Sequence, residues 1–182
     1  MPTIYDPDGT YAAVTSENRL KTYAVSEAAA FHANEDEGKA YSVLVDITSA
    51  TTDDDFFYLK NNDDDYLIIT RIEGWCDDAN QEIKVVLGGT GAGQFAAGDT
   101  LTPVNMLAGS GNVADVDCVQ DATDLAVPGG SVVSLLKFPV TPLERVEFVF
   151  PEGIVVPKNQ RLHLEAALAG LINLNIYFYF HS

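Results

Sequence analysis

Residues 146–182 restrict the fold more than any other stretch of the chain. Val146, Phe148 and Phe150 alternate with Glu147 and Val149, the period-2 pattern of a strand with one buried face. Pro151-Glu152-Gly153 is expected to break that strand. The short apolar run Ile154-Val155-Val156 then stops at Pro157-Lys158-Asn159-Gln160, which is turn chemistry. Leu162, Leu164 and Ala166 alternate with Arg161, His163 and Glu165. Leu174, Ile176, Phe178 and Phe180 alternate with Asn175, Tyr177, Tyr179 and His181. Four large apolar side chains at period 2 have no use in a frayed tail. The expectation is a packed antiparallel sheet that includes the last residues as a strand.

The same signals recur upstream. Tyr41, Val43, Val45 and Ile47 alternate with Ser42, Leu44, Asp46 and Thr48. Phe56-Phe57-Tyr58-Leu59 reads as a short buried strand, and residues 66–72 and 83–87 as two more. Pro103 disfavours helix at Thr102, so residues 101–105 are extended. Residues 112–127 hold one or two short strands, and residues 132–138 another that ends at Pro139. Gly, Pro, Asn and Asp separate these runs. About eight to ten short strands at such spacing predict a sandwich or a barrel.

Residues 1–39 differ. Pro2, Pro7 and Gly9 interrupt residues 1–25, which show no sustained period and carry Ile4, Tyr5, Tyr11 and Tyr23. This reads as an extended arm, either a surface strand or a segment that reaches a neighbour through those four residues. Ser26 precedes Glu27-Ala28-Ala29-Ala30, a cap followed by helix formers, so at most one short helix is expected there. Residues 40–182 make one β domain. A length of 182 residues suits a single sizeable core.

Charge limits the partners. Twenty-seven acidic and ten basic residues give a formal charge of −17, which repels nucleic acid and anionic lipid. The opening MPTIYDPDGTY lacks the basic and apolar regions of a secretion signal, and no run approaches a membrane span. Cys76 and Cys118 lack metal-type spacing. A disulfide between them is one reading; buried free thiols suit a chain made in a reducing cytosol better.

Catalytic patterns are missing. His32, His163 and His181 form no H-x-H or H-E-x-x-H pattern, and no G-x-S-x-G occurs. The glycine loop at 88–93 is not followed by Gly-Lys-Ser/Thr, so it is read as a strand connection. The reading is of a non-enzyme without a cofactor. Acidic triplets at 53–55 and 63–65 flank the strand at 56–59. Carboxylates at loop ends suit Ca²⁺, which makes Asp53, Asp55, Asp63 and Asp65 the metal candidates. Consecutive residues of an extended chain point in different directions, however, and charged turns explain the triplets more simply. Asn173, Asn175, Tyr177 and Tyr179 fall on the polar face of the last strand. They could serve a glycan, a neighbouring strand or a second subunit.

One block adds a resemblance. Gly98-Asp99-Thr100-Leu101-Thr102-Pro103-Val104-Asn105, followed by Gly109-Ser110-Gly111-Asn112-Val113-Ala114, resembles a pattern in small structural proteins of tailed bacteriophages. Residues 56–61, 150–157 and 177–180 are similar in type and order. The resemblance covers roughly residues 40–182 and excludes the acidic triplets and the arm. It implies a jelly-roll-like β-sandwich on the virion surface, without enzymatic activity and made in the host cytoplasm. The leading expectation is a capsid decoration (cement) protein, bound as a trimer to the major capsid protein. The alternative is a receptor- or glycan-binding module of a head or tail fibre.

Overall fold

The computed structural model describes residues 33–34, 38–88, 98–123, 132–140, 142 and 144–181. The expected arm with Ile4, Tyr5, Tyr11 and Tyr23 lies outside the described residues. So do the helical turns expected after Ser26 and the glycine loop beyond Gly88.

Alternation makes the first long strand. β1 (Ala40–Ser49) buries Tyr41, Val43, Val45 and Ile47 and turns Leu44, Asp46 and Thr48 outward. β2 (Asp54–Asn61), β3 (Tyr66–Cys76) and β4 (Gln81–Gly88) follow. Three short strands come next: β5 (Asp99–Thr100), β6 (Val104–Asn105) and β7 (Val116–Gln120). β8 (Val132–Val140), β9 (Val146–Val156), β10 (Arg161–Ala166) and β11 (Gly170–His181) complete the series. Eleven strands among the described residues exceed the expected number because the segment between β4 and β8 forms three small ones.

The strands build two antiparallel sheets packed as a sandwich. One runs β6-β1-β11-β3-β9 and the other β5-β7-β2-β10-β4-β8. Both sheets have free edges, so the sandwich reading holds and the barrel does not. With the three short strands set aside, the remaining eight pair from the outside inward. β1 pairs with β11, β2 with β10, β3 with β9 and β4 with β8. A single long antiparallel ribbon folded over on itself has this wiring.

The core lies between the sheets. Phe57 and Leu59 of β2, Ile83 and Val85 of β4, and Leu162 and Leu164 of β10 meet Val43 and Val45 of β1, Ile69 and Ile72 of β3, and Leu174 and Ile176 of β11. Each such side chain contributes about 1.5–3 kcal/mol of transfer free energy on burial. Aromatic contacts reinforce one end. Tyr41 stacks on Phe178 at 5.7 Å, and Phe180 meets Tyr41 edge-on at 5.8 Å. Phe138 of β8 and Phe148 of β9, 4.1 Å apart, join the two sheets near their edges. Cys76 and Cys118 are buried and unpaired, and burial pushes both thiols up.

Two prolines do less than expected. Pro151 and Gly153 interrupt the ladder but not β9. β3 pairs Ile69 with Ile154 and then Arg71 with Val149. Four residues of β9 therefore oppose Thr70 alone, and Gly153 turns the chain at φ 69°. Likewise β8 continues through Pro139 to Val140. Both strands are sheet edges, where a missing N–H costs no ladder bond on the open side.

The other flank is closed differently. The side-chain amide of Gln120 accepts from the Asp46 N–H at 3.2 Å and donates to the Asp46 carbonyl at 3.4 Å. It occupies the edge of β1 as a strand residue would.

Gly74 sits where β3 and β11 approach most closely, and a Cβ there would lie 2.0 Å from the Asn173 carbonyl oxygen. Gly74→Ala should destabilise the fold by about 3 kcal/mol. Gly111→Ala, which meets nothing within 4 Å, should stay within about 0.5 kcal/mol. Urea denaturation of the two variants measures both.

Candidate functional site

Polar chemistry sits on the outer faces of the two sheets, because the interior is apolar apart from a few groups at its ends. Asn61 is one of these. Its amide donates to the Asp65 and Val156 carbonyls at 2.8 and 3.0 Å and its oxygen accepts from the Asp63 N–H at 2.9 Å. Asn61 therefore shapes the β2–β3 turn. Asp54 is another, fully buried and accepting a 2.5 Å bond from the Ser49 hydroxyl.

The metal candidates fall at opposite ends of β2. Asp53 and Asp55 are separated from Asp63 and Asp65 by about eight residues of strand, on the order of 25 Å. Each end has its own engagements. Asp63 accepts from the Asp65 N–H at 3.0 Å, and Asp65 pairs with Lys39 at 2.7 Å. Asp64, between them, pairs with Lys158 at 2.6 Å. Asp53 has φ 53°, a turn conformation. Among the described residues, no group of three His, Cys, Asp or Glu side chains is placed to hold a metal.

The outer face of the six-stranded sheet carries a buried polar cluster. Register aligns Tyr58, His163 and Val86 across β2, β10 and β4, and Lys60, Arg161 and Gly88 in the adjacent row. Tyr58, Arg161 and His163 are 1%, 2% and 4% exposed. Gly88 makes room for the arginine, since a Cβ there would lie 2.3 Å from Arg161 Nε. Among the described residues Arg161 is paired with no carboxylate, Tyr58 being its hydrogen-bonding neighbour, and His163 Nδ1 makes no hydrogen bond. Burial pushes the Tyr58 hydroxyl up, against the pull of Arg161.

His163 is held neutral. Burial, with the positive charges of Arg161 and Lys84, lowers its pKa to about 4. Asp55 Oδ1, 3.4 Å from Nε2, pulls the other way. Burial wins because the imidazole is nearly out of reach of water while the Asp55 side chain is 23% exposed. Lys84 and Glu165, 2.6 Å apart, and Lys60 and Asp117, 3.3 Å apart, flank the cluster.

The five-stranded sheet carries an ion-pair network on its outer face. Arg71 lies 3.9 Å over the ring of Tyr177 and donates to Glu147 at 3.1 Å. The Tyr177 hydroxyl donates to Glu73 at 2.8 Å, and Arg145 also donates to Glu73. Burial pushes the Glu73 carboxyl up. The hydrogen bonds from Arg145 and Tyr177 and the charge of Arg71 outweigh it, so the group stays below the ordinary glutamate range. The bulge at Thr70 opens a groove of about 380 Å³ beside this network.

Of the four residues expected on an exposed face, Asn173 and Asn175 are half-buried there. Tyr177 is covered by Arg71, and Tyr179 is buried against Ala33, Ala40 and Ile68. Trp75, directly opposite Asn173 on β3, is the aromatic that sequence reasoning passed over. The slip at Thr70 reverses which residues of β3 face outward, so no local pattern marked it.

Two predictions concern the buried cluster. The folded-state pKa of His163 lies below its ordinary 6.5. Its contribution to stability is therefore present above pH 6.5 and lost as pH falls toward 4. The loss reaches about 3 kcal/mol. His163→Gln should flatten the stability profile in that window, as read by urea denaturation across pH. Arg161→Met removes a buried charge that no described carboxylate balances and should stabilise the isolated chain by about 2 kcal/mol, raising Tm by several degrees.

Neither a comparison with protein-family models nor one with curated protein sequences finds a match for this chain.

Proposed function

We propose that this chain is a non-enzymatic structural protein of a tailed-phage particle. Within that class it is a decoration protein that binds the outside of the head, in contact with the major capsid protein and with copies of itself as a trimer. The observation that carries the reading is the nested pairing of eight long strands around an apolar interior. Such pairing is what a jelly roll requires, and viral capsid domains share that architecture with lectins and cupins. A cupin-type site would need polar ligands between the sheets, where this chain packs Val45, Leu59, Ile72, Leu162 and Ile176. The resemblance of the block at 98–114 to phage structural proteins supports the viral member of the set.

Surface chemistry supports an assembled role. Val133 and Leu135 on β8 and Val149 and Val155 on β9 are 63%, 44%, 60% and 46% exposed. β8 and β9 are the edges of their sheets on one flank. Apolar groups there suit subunit contact. The charge of −17 keeps free copies apart until a complementary surface is offered.

Quantitative gel analysis of purified particles tests the proposal. Hundreds of copies per head are expected; a handful would assign the chain to a tail or fibre, and absence from particles would overturn the reading. Leu135→Lys should reduce occupancy on heads while leaving the far-ultraviolet circular dichroism unchanged.

A further inference from the structure

Beside the ion-pair network, the outer face of the five-stranded sheet holds a patch whose polar groups are engaged with no other described side chain. Register places Asp46 of β1, Asn173 of β11 and Trp75 of β3 in one row. The next row on the same face holds Asn175. The side chains of Asn173, Asn175 and Trp75 make no hydrogen bond or ring contact among the described residues. The Gln120 amide engages only the backbone of Asp46, so its exposed carboxylate is available. Tyr177, two residues beyond Asn175 on the same face of β11, is different: its ring already carries Arg71. Two strand spacings make the Asp46–Trp75 row about 10 Å wide, and successive rows on one face lie about 7 Å apart.

We propose that this patch binds a neutral carbohydrate, with the Trp75 indole as stacking platform and Asn173, Asn175 and Asp46 as hydrogen-bonding groups. A pyranose presents an apolar C–H face and a rim of hydroxyls that both donate and accept. A half-exposed indole with no stacking partner offers an apolar surface and one N–H donor. Each amide supplies donors and an acceptor, and the carboxylate accepts from two hydroxyls. A few convergent polar groups beside an aromatic surface are the usual composition of a small-ligand site. Here all four side chains stand on paired strands, so little ordering is needed on binding. The dimensions match one or two sugar rings. Charge selects within the class. Asp46 and a net −17 disfavour sialylated or sulfated glycans. The site does not depend on where the protein sits on a particle.

Trp75 is the sole tryptophan of the chain, so its emission reports on the patch directly. The full chain is titrated with tetramers of β-linked glucose, of N-acetylglucosamine and of mannose, with sialyllactose as the anionic control. A saturable change in emission is expected for at least one neutral oligomer, with a dissociation constant on the order of 1 mM or tighter. The N173A/N175A pair should weaken that binding by about tenfold or more without altering circular dichroism. No saturable response to any neutral oligomer overturns the proposal, and so does equal binding of sialyllactose. If W75A changes the oligomeric state while no glycan responds, the face belongs to a subunit contact and the proposal fails.

Discussion

β11 is the strand on which the rest of the molecule depends. It is hydrogen-bonded along nearly its whole length to β1 on one side and to β3 on the other. Its inward residues, Leu174, Ile176, Phe178 and Phe180, supply the middle of the core, and its outward Asn173, Asn175 and Tyr177 lie on the polar outer face of that sheet. Pairing Ala40 with Tyr179 closes a loop that contains almost the entire sandwich. Such long-range pairing defers stabilisation until late in folding, because loop closure must precede the contacts that reward it.

The two outer faces handle polar groups in opposite ways. On the five-stranded sheet, charges are answered. Glu73 is buried yet bound by Arg145 and Tyr177, and Arg71 bridges an aromatic ring and Glu147. On the six-stranded sheet, Arg161 is buried with no carboxylate partner among the described residues and His163 is kept neutral. An uncompensated buried cation costs several kcal/mol. The first face is therefore held by mutually paired groups. The second works against stability as pH falls.

Much of this architecture was legible in the sequence because burial on one face leaves a period-2 trace. β1, β10 and β11 follow their alternation residue by residue. Irregularity was harder to read. At Thr70 both ladders of β3 slip, so the outward set changes parity between Ile68 and Arg71, and Trp75 inherits an orientation that counting from Tyr66 does not give. Pro151 and Pro139 look like terminators in one dimension. They are tolerated because β8 and β9 are edges, a fact of sheet order that no local pattern carries. The cluster of Tyr58, Arg161 and His163 was equally hidden, since cross-strand register decides which side chains meet. His163 was legible as a residue of the polar face, but not as a buried one.

The Gln120 side chain bears on crowding. By holding both backbone groups of Asp46, it denies the edge of β1 to a second molecule. The opposite flank is protected by shape: Leu135 is an extra residue against β4, and β9 swings out between Val149 and Ile154. Neither flank offers a long flat ladder to copy. A protein built this way presents less exposed ladder for edge-to-edge growth into fibres. Contacts between copies are then left to side chains, which can be matched to a closed assembly of fixed size.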